Sequence, residues 1–177
     1  SITDCSGNLI NSHFDTSQLI VPAAAEPMDI LINEILFNPR PQGSRFIELY
    51  NNSSKHINLK AWTLSGPTNS RLIFEDNSFL GPGAFLGITD NTSNIISEYP
   101  STIVGVFTEL SSLPSLPDDT GTISILDEKG QIIDSVHYHE SYHSPLLKSV
   151  EGVALERLSY SGLSHDPNNW FSASSMT

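Results

Sequence analysis

The 177-residue chain has one cysteine, few basic residues, and no long apolar run. Cys5 alone cannot form an internal disulfide, so the antibody-type pattern of two bridged cysteines around a core Trp is excluded. Only 8 Lys and Arg stand against 20 Asp and Glu, a formal net charge of −12. That sign repels phosphate backbones and argues against a nucleic-acid partner. No apolar stretch approaches the roughly 20 residues that span a bilayer as a helix. Ser1 is not followed by the basic and apolar regions of a signal peptide, and a start without Met reads as a piece of a longer protein. Nucleophile motifs are missing too. There is no Gly-x-Ser-x-Gly and no Ser-x-x-Lys, and Gly81-Pro82-Gly83 lacks the spacing of a phosphate loop.

A sustained 3.6-residue apolar period is also lacking, and short β-branched runs recur instead about every 8–12 residues. Residues 29–64 carry three of them in succession. Ile30 to Phe37 is stopped by Asn38-Pro39; Arg45 to Tyr50 alternates; Ile57-Asn58-Leu59 leads to Trp62 and Leu64. Arg71 to Phe74 and Phe85 to Ile88 are further strand candidates, joined through Gly81-Pro82-Gly83, in which Gly83 suits the positive φ of a type II turn. Residues 89–119 read as a long surface loop with one strand at Ile103 to Phe107. Thr122 to Leu126 and Gln131 to Val136 form a hairpin whose left-handed residue is Gly130. Val153 to Leu158 is a last strand, and Asp166-Pro167 suits the cap of one helical turn. The fold class is all-β. Residues 1–28, ending in a Pro/Ala linker, read as an N-terminal arm or the remnant of a preceding Ig-like domain, and residues 29–177 as the main domain.

The ordered set Ile32-Asn33-Glu34-Ile35, Asn38-Pro39, Phe46 to Asn51, Ile57-Asn58-Leu59 and Trp62 to Ser65 resembles the lamin-tail domain, an Ig-like β-sandwich. Leu80 to Phe85, Asp134-x-Val136-x-Tyr138, Gly152 to Arg157 and Asn169-Trp170-x-Ser172-Ala173 continue the likeness over about residues 29–175. The resemblance implies an Ig-like β-sandwich of the lamin-tail type with an irregular N-terminal extension. It further implies a non-catalytic interaction or spacer module of a larger secreted or cell-surface bacterial protein. Such a module binds a protein or glycan partner, contacts neighbouring domains of its own chain, and is monomeric in isolation.

Among residue clusters, His137, His139, Glu140 and His143 are the only metal-like group. On a strand His137 and His139 share a face, and Zn²⁺ ligation requires His143 to curl back from the next turn. That cluster carries the alternative of a metal-dependent hydrolase or accessory domain. Glu34 and Glu48 on adjacent strands can face each other as a pair for acid–base chemistry, but each is expected to bind backbone or a basic residue such as Arg45, Arg71 or Arg157 instead. Asp118-Asp119, Asp90-Asn91 and Asp76-Asn77 offer loop oxygens to Ca²⁺, without the spacing of an EF-hand. No cofactor is expected. Trp62 is expected in the core, whereas Trp170 as an exposed platform carries a carbohydrate-binding alternative. Asp134 is expected to be buried and satisfied, on one face with Ile132 and Val136.

Overall fold

A computed structural model of the chain describes residues 20–100 and 107–173. Two sheets stack with their apolar faces together. The larger contains β1 (Ile30–Leu36), β2 (Phe46–Asn51), β7 (Phe85–Thr89), β8 (Phe107–Glu109), β11 (Leu155–Arg157) and β12 (Trp170–Ser172), in the order β12-β11-β1-β2-β7-β8. The smaller contains β4 (Thr63–Ser65), β5 (Ser70–Leu72), β9 (Thr120–Leu126) and β10 (Ile132–His139), in the order β10-β9-β4-β5. A short pair, β3 (Ile57–Asn58) with β6 (Phe79–Leu80), stands apart from both. Among these strands the pairings are antiparallel except β7 with β8, which are parallel, as is an isolated bridge between Lys60 and Phe74. The all-β reading therefore holds.

Alternating residues supply the core. Ile30, Ile32, Ile35, Ile47, Leu49, Ile88 and Leu155 come from the large sheet, and Leu64, Ile123, Ile125, Ile133, Val136 and Tyr138 from the small one. Trp62, just before β4, is 1% exposed within this layer, where the sequence places it. The expected turn chemistry appears at Gly83 (φ 68°) and Gly130 (φ 79°). Asp166 caps a 3-10 turn at Pro167–Asn169 by accepting from the Asn168 N–H.

Two bulges break the simple alternation. One, in β1, falls between Ile32 and Glu34; the other, in β10, falls between Ile132 and Asp134. The second changes a face assignment. Strict alternation groups Ile133 with Ser135 and His137, but Ile133 is buried in the core while Ile132 is 54% exposed.

The region read as a long loop contains a helix, α1 (Thr92–Glu98), capped by the Asn91 side chain accepting from the Asn94 N–H. Ile95 and Tyr99 fold over Leu36, Phe46 and Ala154, making a second, smaller apolar cluster on the outer face of the large sheet. Of the expected strand at 103–107, residues 103–106 lie outside the described residues, and β8 begins at Phe107. Cys5 and the rest of residues 1–19 also lie outside them. The segment from Pro22 onward runs beside the sandwich. Ala23 N–H donates to His56 O, and Met28 N–H to Ile133 O.

Candidate functional site

The polar residues fall into three groups, two committed to holding the fold and one lying on an outer surface. The first group is centred on Asp134. Its Oδ2 accepts from the Ile32 N–H at 2.8 Å and from Arg157 at 3.0 Å, and its Oδ1 accepts from the Ser135 N–H. Arg157 also donates to Ile32 O, Ser164 Oγ and Gly162 O, and its guanidinium lies 5.0 Å from the Trp170 ring centroid. The two charged side chains are 0% and 2% exposed. Burial pushes the Arg157 pKa down, against the opposing pull of Asp134. The pair thus joins β10 of one sheet to β11 and the β1 bulge of the other, and satisfies the backbone that the bulge disrupts. Arg157 is spent here, so it is not the partner of a glutamate.

The second group holds the three histidines, which the structure does not bring together. His137 is exposed and bonds Thr122 Oγ1. His139 Nδ1 accepts from the Ser141 N–H and caps the 3-10 turn at Glu140–Tyr142, of which the exposed Glu140 is the first residue. His143 is 5% exposed, packed 5.6 Å from the Phe37 ring, with Nδ1 3.0 Å from Ser172 Oγ. Burial lowers its pKa. Among the described residues, no group of three or more His, Cys, Asp or Glu is placed to hold a metal ion. The expected curl of His143 toward the strand histidines is replaced by packing into the sandwich against Phe37, with Nδ1 on the Ser172 hydroxyl and Nε2 buried without a partner. The loop carboxylates likewise form no such group. Asp118 pairs instead with Arg45 at 2.5 Å.

Trp170 is no exposed platform. It is 2% exposed, and its Nε1 donates to Ser164 O at 2.9 Å. The reason is its place on β12, whose inward face closes the core beside Arg157.

The third group occupies the outer face of the large sheet. Because Ile47 and Leu49 point into the core, Phe46, Glu48 and Tyr50 point away from it. Glu34 lies directly opposite Glu48 on β2 and directly opposite Glu156 on β11. Glu34 and Glu48 do face each other, and Glu156 extends the pair to a row of three. Burial pushes the Glu48 carboxyl up, the Asn33 hydrogen bond pulls it down, and the charge of Glu156 raises it again. Arg45 and Arg71, proposed as partners from the sequence, bond to Phe37 O and Asp118 and to Ser112 and Ser70 O instead. Asn33, the bulged residue, donates to Glu48 Oε1 at 2.8 Å, while its own Oδ1 is buried without a partner.

Aromatic rings border the row. Tyr50 is sandwiched between Tyr160 at 4.2 Å and Phe85 at 4.7 Å, ring centroid to centroid. Sequence reasoning missed Glu156 and Tyr160 because their proximity to β2 exists only once β11 has docked on β1.

The two stacked sheets make an all-β, Ig-like sandwich. The family model for the lamin tail domain matches residues 23–140, and the chain belongs to that family. The match stops short of β11 and β12, so the likeness read at Gly152 to Arg157 and Asn169 to Ala173 lies beyond it. No curated protein matches the chain.

Proposed function

We propose that this domain is a non-catalytic interaction or spacer module of a larger secreted or cell-surface bacterial protein, and that it binds a protein or glycan partner. The observation that supports the reading is how the buried ionisable groups are used. Asp134 and Arg157 neutralise each other across the two sheets, and His143 is packed against Phe37 and Ser172, so the residues best suited to chemistry hold the sandwich together. Membership of a family of Ig-like domains supports the same reading. The extracytoplasmic placement rests on the sequence resemblance to the bacterial branch.

The test is a turnover assay of the purified domain on ester, phosphodiester and glycoside substrates, with and without added Zn²⁺. No turnover above buffer is expected. Zinc-dependent turnover that disappears in His143→Ala would overturn the proposal in favour of a hydrolase.

A further inference from the structure

We infer that residues 140–152 form a strap latched to β12 by His143, and that mild acid opens the latch and frees the Leu146–Leu147 tip while the two sheets stay closed. This response to pH is independent of the interaction-module reading, and turnover or its absence does not bear on it.

The way the strap is held comes first. Backbone bonds fix both of its ends. At the start, Glu140 N–H donates to Asp119 O; at the end, Gly152 N–H donates to Asn38 O and Gly152 O accepts from the Tyr99 hydroxyl. Between these anchors Pro145 to Ser149 are exposed, Leu146 at 90%. Hydrogen bonds in this stretch are local, running from Leu146 N–H to Ser144 Oγ, from Leu147 N–H to Ser144 O and from Glu151 N–H to Ser149 Oγ. The middle of the strap is tied to the sandwich at Ser172 Oγ of β12. That oxygen meets His143 Nδ1 at 3.0 Å and accepts from the Ser144 N–H at 2.9 Å. A segment so exposed and so largely bonded to itself opens locally at less cost than the whole domain unfolds.

The chemistry of the latch sets the direction of the response. His143 is buried against the Phe37 ring, and its Nε2 has no hydrogen-bond partner. A neutral imidazole carries one N–H. Whichever nitrogen holds it, Nδ1 shares a hydrogen bond with the Ser172 hydroxyl, and Nε2 leaves a lone pair or a proton unused. The imidazolium has an N–H on both nitrogens, so it would place a charged donor where no acceptor waits. The closed latch therefore keeps the ring neutral, and burial is what lowers its pKa. Released into water, the ring takes a proton at its ordinary value of about 6.5. Opening thus binds a proton that the closed state refuses, and acid favours it.

The surrounding elements supply no charge that would hold an imidazolium in place. Burial is the cause of the shift, with no charged neighbour beside it. On β12, Ser172 lies directly opposite Leu155 of β11. From β10, Tyr138 stacks on Phe37, and the charges of Arg45, Asp119 and Asp118 act on its hydroxyl. Within the strap, Glu140 is exposed and Tyr142 lies 6.2 Å from the His139 ring. His139 is the rival titrating group, since its Nδ1 accepts from the Ser141 N–H and a proton there would break that cap.

The experiment is amide hydrogen exchange on the whole 177-residue chain between pH 7 and 5, with each rate corrected for its intrinsic pH dependence. The Ser144 amide reports the latch, and the Ile32 amide, held by Asp134, reports global unfolding. Ser144 should be less protected than Ile32 at every pH. Its protection should fall as pH drops below about 6.5, by no more than about tenfold per pH unit, and level off below the folded pKa. His143→Asn, with an amide near the Nδ1 position, and His143→Phe, which keeps a ring against Phe37, should each make Ser144 protection independent of pH. Only the slope is read, so a variant that is less stable throughout still answers. His139→Asn can still cap the turn and should keep the fall. Exchange of Ser144 only together with Ile32 would overturn the inference, because the strap would not open by itself. Flat protection in the parent would overturn it too, as would a fall that survives in both His143 variants or disappears in His139→Asn.

Discussion

Removing Arg157 while leaving Asp134 in place should be the most damaging single change of charge in the domain. Arg157→Met keeps most of the stem volume but strands a carboxylate that is 2% exposed, holding only the Ile32 and Ser135 N–H groups. It also removes donors from Ile32 O, Ser164 Oγ and Gly162 O. Breaking one partner of a buried ion pair costs about 3–5 kcal/mol, mostly because the remaining charge stays buried. With a urea slope of about 2 kcal/mol per molar, the midpoint should fall by roughly 2 M at unchanged slope. Asp134→Asn should cost a comparable amount by stranding the guanidinium. The double variant should cost clearly less than the two singles added, with a coupling of roughly 1–3 kcal/mol. Additive losses, or a single-variant loss below about 1 kcal/mol, would refute the reasoning that this pair satisfies the β1 bulge and joins the sheets.

Two further perturbations have defined signs. His143 is held neutral by burial, with a folded pKa below its unfolded value of about 6.5. Its contribution is whole above that value and declines as pH falls toward the folded pKa, at no more than about 1.4 kcal/mol per pH unit. Melting temperature should therefore drop between pH 7.5 and 5.5, and His143→Asn should flatten that slope; an unchanged slope in the variant would assign the drop to other groups. Gly121→Ala should destabilise by about 1–3 kcal/mol through overpacking, because the new methyl meets the Tyr138 hydroxyl, which donates to Pro117 O. Chemical denaturation checks this, and a neutral result would mean that Tyr138 has room to move.

The fold was legible where local chemistry decides it. The alternation at Phe46 to Tyr50, the stop at Asn38-Pro39, and the left-handed glycines at 83 and 130 each state their own geometry. What escaped was either too short or too distant. A seven-residue helix such as α1 spans two turns, too few for a periodic signal, and only Ile95 within it is buried. The two bulges shift alternation by one residue without any mark in the sequence, which is why Ile132 and Ile133 exchange faces.

Site residues follow the same division. The facing of Glu34 and Glu48 was readable because their strands are consecutive, whereas Glu156 and Tyr160 reach them only through docking of β11 on β1. Arg157 was readable as a cation needing a partner, but its partner is Asp134 rather than a glutamate because it lies on the inward face of β11. The histidines were close in sequence and suggested a metal. Their hydrogen bonds separate them, since each finds a hydroxyl or a backbone amide nearby.

That the buried polar groups serve to lock two sheets together is tested most directly by amide hydrogen exchange at Ile32, whose N–H is held by Asp134 from the opposite sheet. The account predicts that this amide exchanges only through global unfolding, with a free energy equal to that from urea denaturation, and that Asp134→Asn lowers both together. Exchange through a local opening several kcal/mol cheaper than unfolding would contradict it.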